Sequence, residues 1–227
     1  MAAVMIAAAL VAYANALPWL VERRGWDQWG AFTIGNAALT AALFCYALVS
    51  GLLPAVWGRV GADGLALGAA AGLVPLAVIL TLMFLPGSLG RDIVASGIGK
   101  ISPRRFLYRV GVQVALTTVV CEEFAFRGVL QVLLARVVGA PYVVGLDAAA
   151  FGLWHTTLQY NGFAHQPRLV RVGAAVGGTI LYALLGFVQA LVRQRTGSLL
   201  AAIVAHGVLD VLMFVGMYVR RGQLTAT

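Results

Sequence analysis

The sequence predicts an all-α fold, a polytopic membrane helical bundle of about seven transmembrane helices, and three observations carry that prediction. The chain is 61% hydrophobic and only 11% charged, with a mean hydropathy of +0.91, far from the balance of a water-soluble domain. Apolar runs of about 20 residues, enough to cross a hydrocarbon core of about 30 Å at 1.5 Å per residue, recur along the whole length. The segments between them are too short for a soluble module, so residues 1–227 form a single transmembrane domain whose backbone must be satisfied by helices packed on one another.

In order, the runs are 2–20, 31–53, 65–85, 106–138, 141–160, 173–192 and 198–219. The first opens with MAAVMIAAAL, which lacks the basic start of a signal peptide and continues uniformly, so it is expected to be a retained span. The fourth starts at Ser102 and Pro103, an N-cap followed by proline in the first turn, and its pattern continues to Val138 before Gly139 and Pro141 stop it. That is long for one crossing, so the helix is expected to tilt, bend or extend past the bilayer. The loop before it, residues 87–109, interleaves Ile93, Ile98 and Ile101 with basic residues, a pattern that fits both a headgroup-embedded segment and a solvated basic loop. The two cysteines, Cys45 and Cys121, fall inside spans and suggest neither a disulfide framework nor a metal cluster.

A net charge of +8 invites thoughts of nucleic acid, but the basic residues sit in short loops, where membrane topology accounts for them. Nucleic acid is not expected as a partner; the lipid bilayer is. On one side fall Arg23, Arg24, Arg91, Lys100, Arg104, Arg105, Arg109, Arg168, Arg171, Arg220 and Arg221; on the other, Arg59, Arg136, Arg193 and Arg195. The positive-inside rule then puts the N-terminus outside and the C-terminus in the cytoplasm. The abundance of Ala, Val and Arg points to a bacterial plasma (inner) membrane.

Against this greasy background a few polar residues stand out. The fourth run holds Glu122, Glu123 and Arg127, the fifth holds Asp147 and His155, and the seventh holds His206 and Asp210. A charge at mid-bilayer costs about 2.5 to 3.5 kcal/mol on insertion scales, so these groups are expected to face one another or water. Glu123 and Arg127 are one helical turn apart and can pair, whereas Glu122 is turned about 100° away and is left for another partner. The same four-residue spacing recurs in FGLWH, ending at His155, and in HGVLD, from His206 to Asp210. Asp147 lies two turns before His155 and falls outside the expected site. Phe124, Phe126, Phe151 and Trp154 are expected as pocket wall or lipid-facing packing, and His165 as a solvated loop residue.

Converging faces of this kind would make a polar pocket inside the membrane. There a glutamate is suited to take a proton from water, a histidine to orient that water, and a second histidine, held by Asp210, to donate to a developing oxyanion. That set would hydrolyse an amide within the bilayer. Glu122, His155 and His206 are also possible ligands of a divalent metal such as zinc, although HExxH is absent and no cofactor is required. A Cys121 thiol nucleophile with His155 as base is disfavoured, because the adjacent carboxylates oppose thiolate formation.

The ordered set EEFAFR, FGLWH and HGVLD resembles the EExxxR, FxxxH and HxxxN/D motifs of the CPBP family (CAAX protease and bacteriocin-processing, or Abi) of intramembrane proteases. The resemblance covers roughly residues 105–220, leaving 1–85 as accessory helices. It implies that Glu122 activates water, that His155 helps hold it, that Glu123 and Arg127 organise the site, and that His206 with Asp210 stabilises the oxyanion. Family members are classed as metalloproteases, yet a metal-free glutamate mechanism is equally compatible. Asp210 stands where the prenyl-protease branch often has Asn; an ionised Asp has no N–H to donate, so a role in orienting His206 is expected for it.

The expected function is an intramembrane endopeptidase acting on a membrane-anchored protein or peptide: a CaaX-like tail, a C-terminal sorting signal or a leader. Bacteria generally lack protein prenylation, which makes the latter two at least as plausible as the first. Two other classes are weighed against it. A non-proteolytic bacteriocin-immunity or partner-binding protein of the same family is one, and a transporter with a buried proton relay is the other; no convincing internal repeat supports the transporter.

Overall fold

In the computed structural model, residues 1–84 and 101–224 are described, with side chains as far as Arg221; Ile93, Ile98, Arg91 and Lys100 lie outside them. The described residues are overwhelmingly helical. In chain order the helices are α1 (Ala2–Arg24), α2 (Gln28–Val49), the short α3 (Leu53–Trp57), α4 (Ala62–Phe84), a composite helix α5 (103–134), α6 (Ala140–Trp154), α7 (Thr156–Gly162), α8 (Arg168–Thr196) and α9 (Leu199–Leu224).

Five of these, α1, α2, α4, α8 and most of α9, are long and apolar enough to cross a membrane. Their outward faces carry bare apolar side chains such as Ile34 (73% exposed), Val74 (70%) and Leu184 (61%), a surface suited to lipid rather than water. The protein is an integral membrane protein. The expected count of seven would need two further crossings, by α5 and by the α6–α7 pair, neither of which is a plain uninterrupted α-helix.

α5 departs from expectation in an instructive way. Ser102 caps it as the sequence predicts, its hydroxyl accepting from the Arg105 N–H at 3.4 Å with Pro103 in the first turn. Beyond that turn the winding widens to π-type over Arg109–Val119, tightens to α over Val120–Glu123, and widens again over Phe124–Leu130. Regular helix ends at Leu134 rather than Val138. A π-helix rises less per residue than an α-helix, which absorbs part of the excess length that would otherwise demand tilting.

The fifth expected span, 141–160, is likewise interrupted. α6 ends at Trp154 and α7 begins at Thr156, with His155 between them at φ −92°, ψ −4°.

Small residues set how closely the helices that carry the polar groups approach. Gly64, Gly68 and Gly72 form one stripe of α4 that faces α9. A Cβ at Gly68 would collide with the Ala201 carbonyl, and one at Gly72 with the Ala205 carbonyl, so the two backbones touch there. Gly64, in contrast, faces only side-chain atoms of Thr196 and Ala201, at ordinary contact distance. At the end of this interface the chain is tied down by Arg59, whose N–H donates to the Gly197 carbonyl at 2.9 Å beside an isolated antiparallel bridge between Gly58 and Ser198. Gly58 and Gly197 both sit at positive φ (64° and 65°).

The main apolar core lies between α1, α2, α3, α5, α6 and the start of α9, built around Phe126, Val129, Leu130, Val56, Phe151 and Leu199. A second cluster of Met83, Phe106, Val110 and Met217 joins α4, α5 and α9, with Phe106 stacked on Tyr218 at 4.1 Å between ring centroids.

The α4–α9 contact yields a graded prediction. Gly68→Ala and Gly72→Ala force backbone apart and should each destabilise by about 1–3 kcal/mol. Gly64→Ala should be neutral or slightly stabilising, since it removes a flexible helical residue without a clash. Thermal melting of the three variants in one detergent reads this order directly; equal losses at all three would contradict it.

Candidate functional site

Glu122 and Glu123 occupy the tight α-turn between the two widened stretches of α5, and both are buried. Their neighbours divide as the 100° step between them requires.

Glu123 turns toward a guanidinium. Arg127 is fully buried, and its Nη1 donates to Glu123 Oε1 at 3.1 Å. Its Nη2 donates to the Gly186 carbonyl of α8 at 2.9 Å, and its guanidinium carbon lies 4.2 Å from the Phe151 ring centroid. Gly186 has to be glycine for this, because a Cβ there would press on both Phe151 and Arg127. A second carboxylate, Asp147 on α6, places Oδ2 at 3.3 Å from Arg127 Nε without the alignment of a hydrogen bond, so this contact is ionic. Asp147 falls outside the site expected from the sequence, yet it completes a buried Glu123–Arg127–Asp147 triad across α5 and α6. The available signal is its charge in an apolar run; its partner is not readable there, because α6 meets α5 through tertiary packing rather than sequence spacing.

Glu123 has another partner that sequence spacing does not reveal. Its Oε1 also receives His206 Nδ1 from α9, at 2.8 Å. Asp210 Oδ2, one turn further along α9, lies 3.4 Å from the other ring nitrogen, Nε2. The expectation that Asp210 alone holds His206 is therefore incomplete, since Glu123 grips the opposite side of the ring.

Glu122 faces the histidines. His155 Nε2 is 3.9 Å from Glu122 Oε1, and His206 Nε2 is 3.9 Å from Glu122 Oε2. Trp154 Nε1 donates to Glu122 Oε1 at 3.2 Å, so this tryptophan, expected to be wall or lipid-facing packing, anchors the carboxylate. His155 is fixed on two further sides. Its Nδ1 lies 2.9 Å from the Phe151 carbonyl, which can only accept, so Nδ1 carries the proton and Nε2 is left with a lone pair toward Glu122. Tyr182 of α8 stacks flat on the ring, 3.8 Å between centroids and 4° between planes. Nothing in the sequence pattern singles out Tyr182, an aromatic residue in an apolar run.

Phe126 and Phe151 are buried and meet edge to face at 5.2 Å, walling the site. Cys121 is fully buried. Among the described residues, no three His, Cys, Asp or Glu side chains are gathered tightly enough to hold a metal ion as they stand. The two histidines nonetheless have the layout of oriented ligands, with Nδ1 held by an acceptor and Nε2 converging on one carboxylate.

Five of the six expected side chains, together with Asp210 at the rim, thus meet from three helices that are far apart in sequence. Residues 105–212 match the family model described as Rce1-like, type II CAAX prenyl endopeptidase Rce1-like. This segment is similar to that protease family. The matched segment contains α5 from Arg105 onward, α6 to α8, and the part of α9 that bears His206 and Asp210. No curated protein and no solved structure matches the chain. The family match supports an intramembrane endopeptidase in general terms, with the buried polar cluster as its candidate active site.

The triad gives a stability prediction. Arg127→Met leaves Glu123 and Asp147 buried without a counter-charge and should destabilise by about 3–5 kcal/mol. Asp147→Asn should cost less, because Arg127 retains Glu123 and the Gly186 carbonyl. Denaturation of the two variants in detergent tests the ranking, which a greater loss in Asp147→Asn would reverse.

Proposed function

We propose that this protein cleaves a peptide bond of a membrane-anchored protein or peptide by means of water activated by Glu122. The observation that carries the reading is the paired approach of the two Nε2 atoms, each 3.9 Å from a different oxygen of one carboxylate. Such a gap is too long for a direct hydrogen bond but suits two groups sharing a water about 2.8 Å from each.

The steps follow from the donors and acceptors. A water between Glu122 and His155 gives a proton to the Glu122 carboxylate as its oxygen bonds to the scissile carbonyl carbon. His155 accepts the water's other hydrogen at Nε2, orienting the attacking lone pair. The carbonyl π pair moves onto oxygen, and His206, carrying a proton on each ring nitrogen, donates its Nε2–H to that oxyanion while its Nδ1–H stays on Glu123 and Asp210 stands beside the ring. As the intermediate collapses, the C–N bond breaks and the proton held by Glu122 passes to the leaving nitrogen. Arg127 and Asp147 act at a distance, by fixing Glu123.

A divalent ion such as zinc is a compatible addition: Glu122, His155 and His206 would hold it, and it would polarise the carbonyl. The bacterial inner membrane, with the N-terminus outside, remains the proposed setting. A C-terminal sorting signal or leader is the proposed substrate class, ahead of a prenylated tail.

Comparing membrane and secreted peptidomes of cells carrying the wild-type protein with those carrying Glu122→Gln should reveal a product released only by the former. His155→Ala should lose it as well, by a factor of about 10² or more, with both variants present in the membrane at wild-type level. Unchanged product release would sink the hydrolytic reading and favour the immunity or partner-binding alternative. Dialysis against a chelator separates the two chemistries: full activity after it supports the metal-free glutamate, and loss restored by added zinc supports the metal.

A further inference from the structure

The break between α6 and α7 creates a problem that the helices themselves do not solve. A helix interrupted within a membrane protein leaves carbonyl and N–H groups without intrahelical partners, and such groups need replacements. Here two backbone groups, the Leu153 carbonyl and the Thr157 N–H, placed two residues before and two after His155, are bonded by one side chain of α1; the carbonyl also accepts a backbone N–H at the end of α6.

Asn15 Nδ2 donates to the Leu153 carbonyl at 2.9 Å. Its Oδ1 accepts from the Thr157 N–H at 2.9 Å and from the Thr157 hydroxyl at 2.6 Å. The second Nδ2 hydrogen goes to the Val11 carbonyl at 2.7 Å, one turn back on α1, which ties the side chain to its own helix. An asparagine side chain offers two hydrogens and two lone pairs, and all four are used. A shorter serine lacks the amide donors, and an apolar residue would take the acceptor from the Thr157 N–H and the α1 donor from the Leu153 carbonyl.

Two residues earlier, the same helix reaches the site by a second route. Tyr13 packs its ring 5.5 Å from that of Trp154, the residue that donates to Glu122, and donates its hydroxyl to Asn36 Oδ1 of α2 at 3.2 Å. α1 thus touches the residues on both sides of His155, although it lies outside the family-matched segment.

We infer that Asn15 is a positioning residue: it splints the α6–α7 break and thereby holds His155 Nε2 toward Glu122. The inference rests on the proposed role of His155 in holding water. Its structural half stands apart from that role and can be measured separately.

Asn15→Leu is close in volume and removes all four bonds. In the purified, detergent-solubilised full chain, hydrogen exchange at the 155–159 amides should rise at least about tenfold, while the centre of α8 keeps its protection. On the membrane-anchored peptide identified by the peptidome comparison, kcat should fall at least about tenfold with KM within about twofold, since water alignment is lost and substrate binding is not. Thr157→Val removes one of the four bonds and should show the same changes to a smaller extent; it carries the test should Asn15→Leu not fold. Unchanged exchange at 155–159 in a folded Asn15 or Thr157 variant overturns the splint, whatever His155→Ala does. If His155→Ala abolishes cleavage while Asn15→Leu raises exchange but leaves kcat intact, the positioning role falls and the reading of His155 survives.

Discussion

The structure depends on one buried cation. Arg127 carries two carboxylates, Glu123 and Asp147, on a single guanidinium and donates from Nη2 to the Gly186 carbonyl, so α5, α6 and α8 meet at one point. Its own backbone carbonyl accepts from Arg193 Nε at 3.1 Å, and Arg193 Nη2 goes on to the Ala55 and Val56 carbonyls of α3. Arg193 is therefore a buried bracing residue, although its position near a helix end makes it look like a loop charge in the sequence. In a low-dielectric interior a planar guanidinium with five fixed donors can join several acceptors at once, which a lysine cannot reproduce. Because Glu123 is held by Arg127, it can in turn hold His206, and the site is assembled outward from that fixed point.

Around this centre two kinds of backbone irregularity do complementary work. The widened winding of α5 on either side of Val120–Glu123 changes how far successive side chains rotate, while the tight turn between keeps the two glutamates on distinct faces. The interruption at His155 lets the chain turn between α6 and α7 beside Glu122. Irregular backbone is tolerated in such a protein only where its polar groups find partners, and side chains such as Asn15 supply them. Regular packing surrounds these irregular parts: Gly68 and Gly72 bring α4 against α9, the helix that bears His206 and Asp210.

How much of this is legible in the sequence follows from the range of each interaction. Contacts one helical turn apart, Glu123 with Arg127 and Phe151 with His155, are readable because helical geometry alone sets them. The Ser102 cap is readable for the same reason. The convergence of α5, α6 and α9 is expected from the cost of stranding charges in lipid and from the order of the three motifs, not from spacing. What stays hidden is every contact fixed by tertiary packing: Asp147 on Arg127, His206 on Glu123, Trp154 on Glu122 and Tyr182 on His155. The π-type winding is hidden too, since the apolar residues of α5 show no break in their helical pattern.

The division between Glu122 and Glu123 shows how adjacent identical residues acquire different duties. Glu123 has one oxygen shared between Arg127 and His206, so moving a proton or a substrate onto it would disturb the contact that fixes three helices. Among the described residues Glu122 bonds the Trp154 N–H directly, and the two histidine nitrogens stand off at 3.9 Å. A carboxylate that is anchored but not saturated can exchange protons without breaking a structural bond, which is what a general base must do in each turnover. The pair, on the proposed reading, separates rigidity from reactivity within one helical turn. On the proposed reading, exchanging the surroundings of the two glutamates would disable the enzyme even with both carboxylates still present.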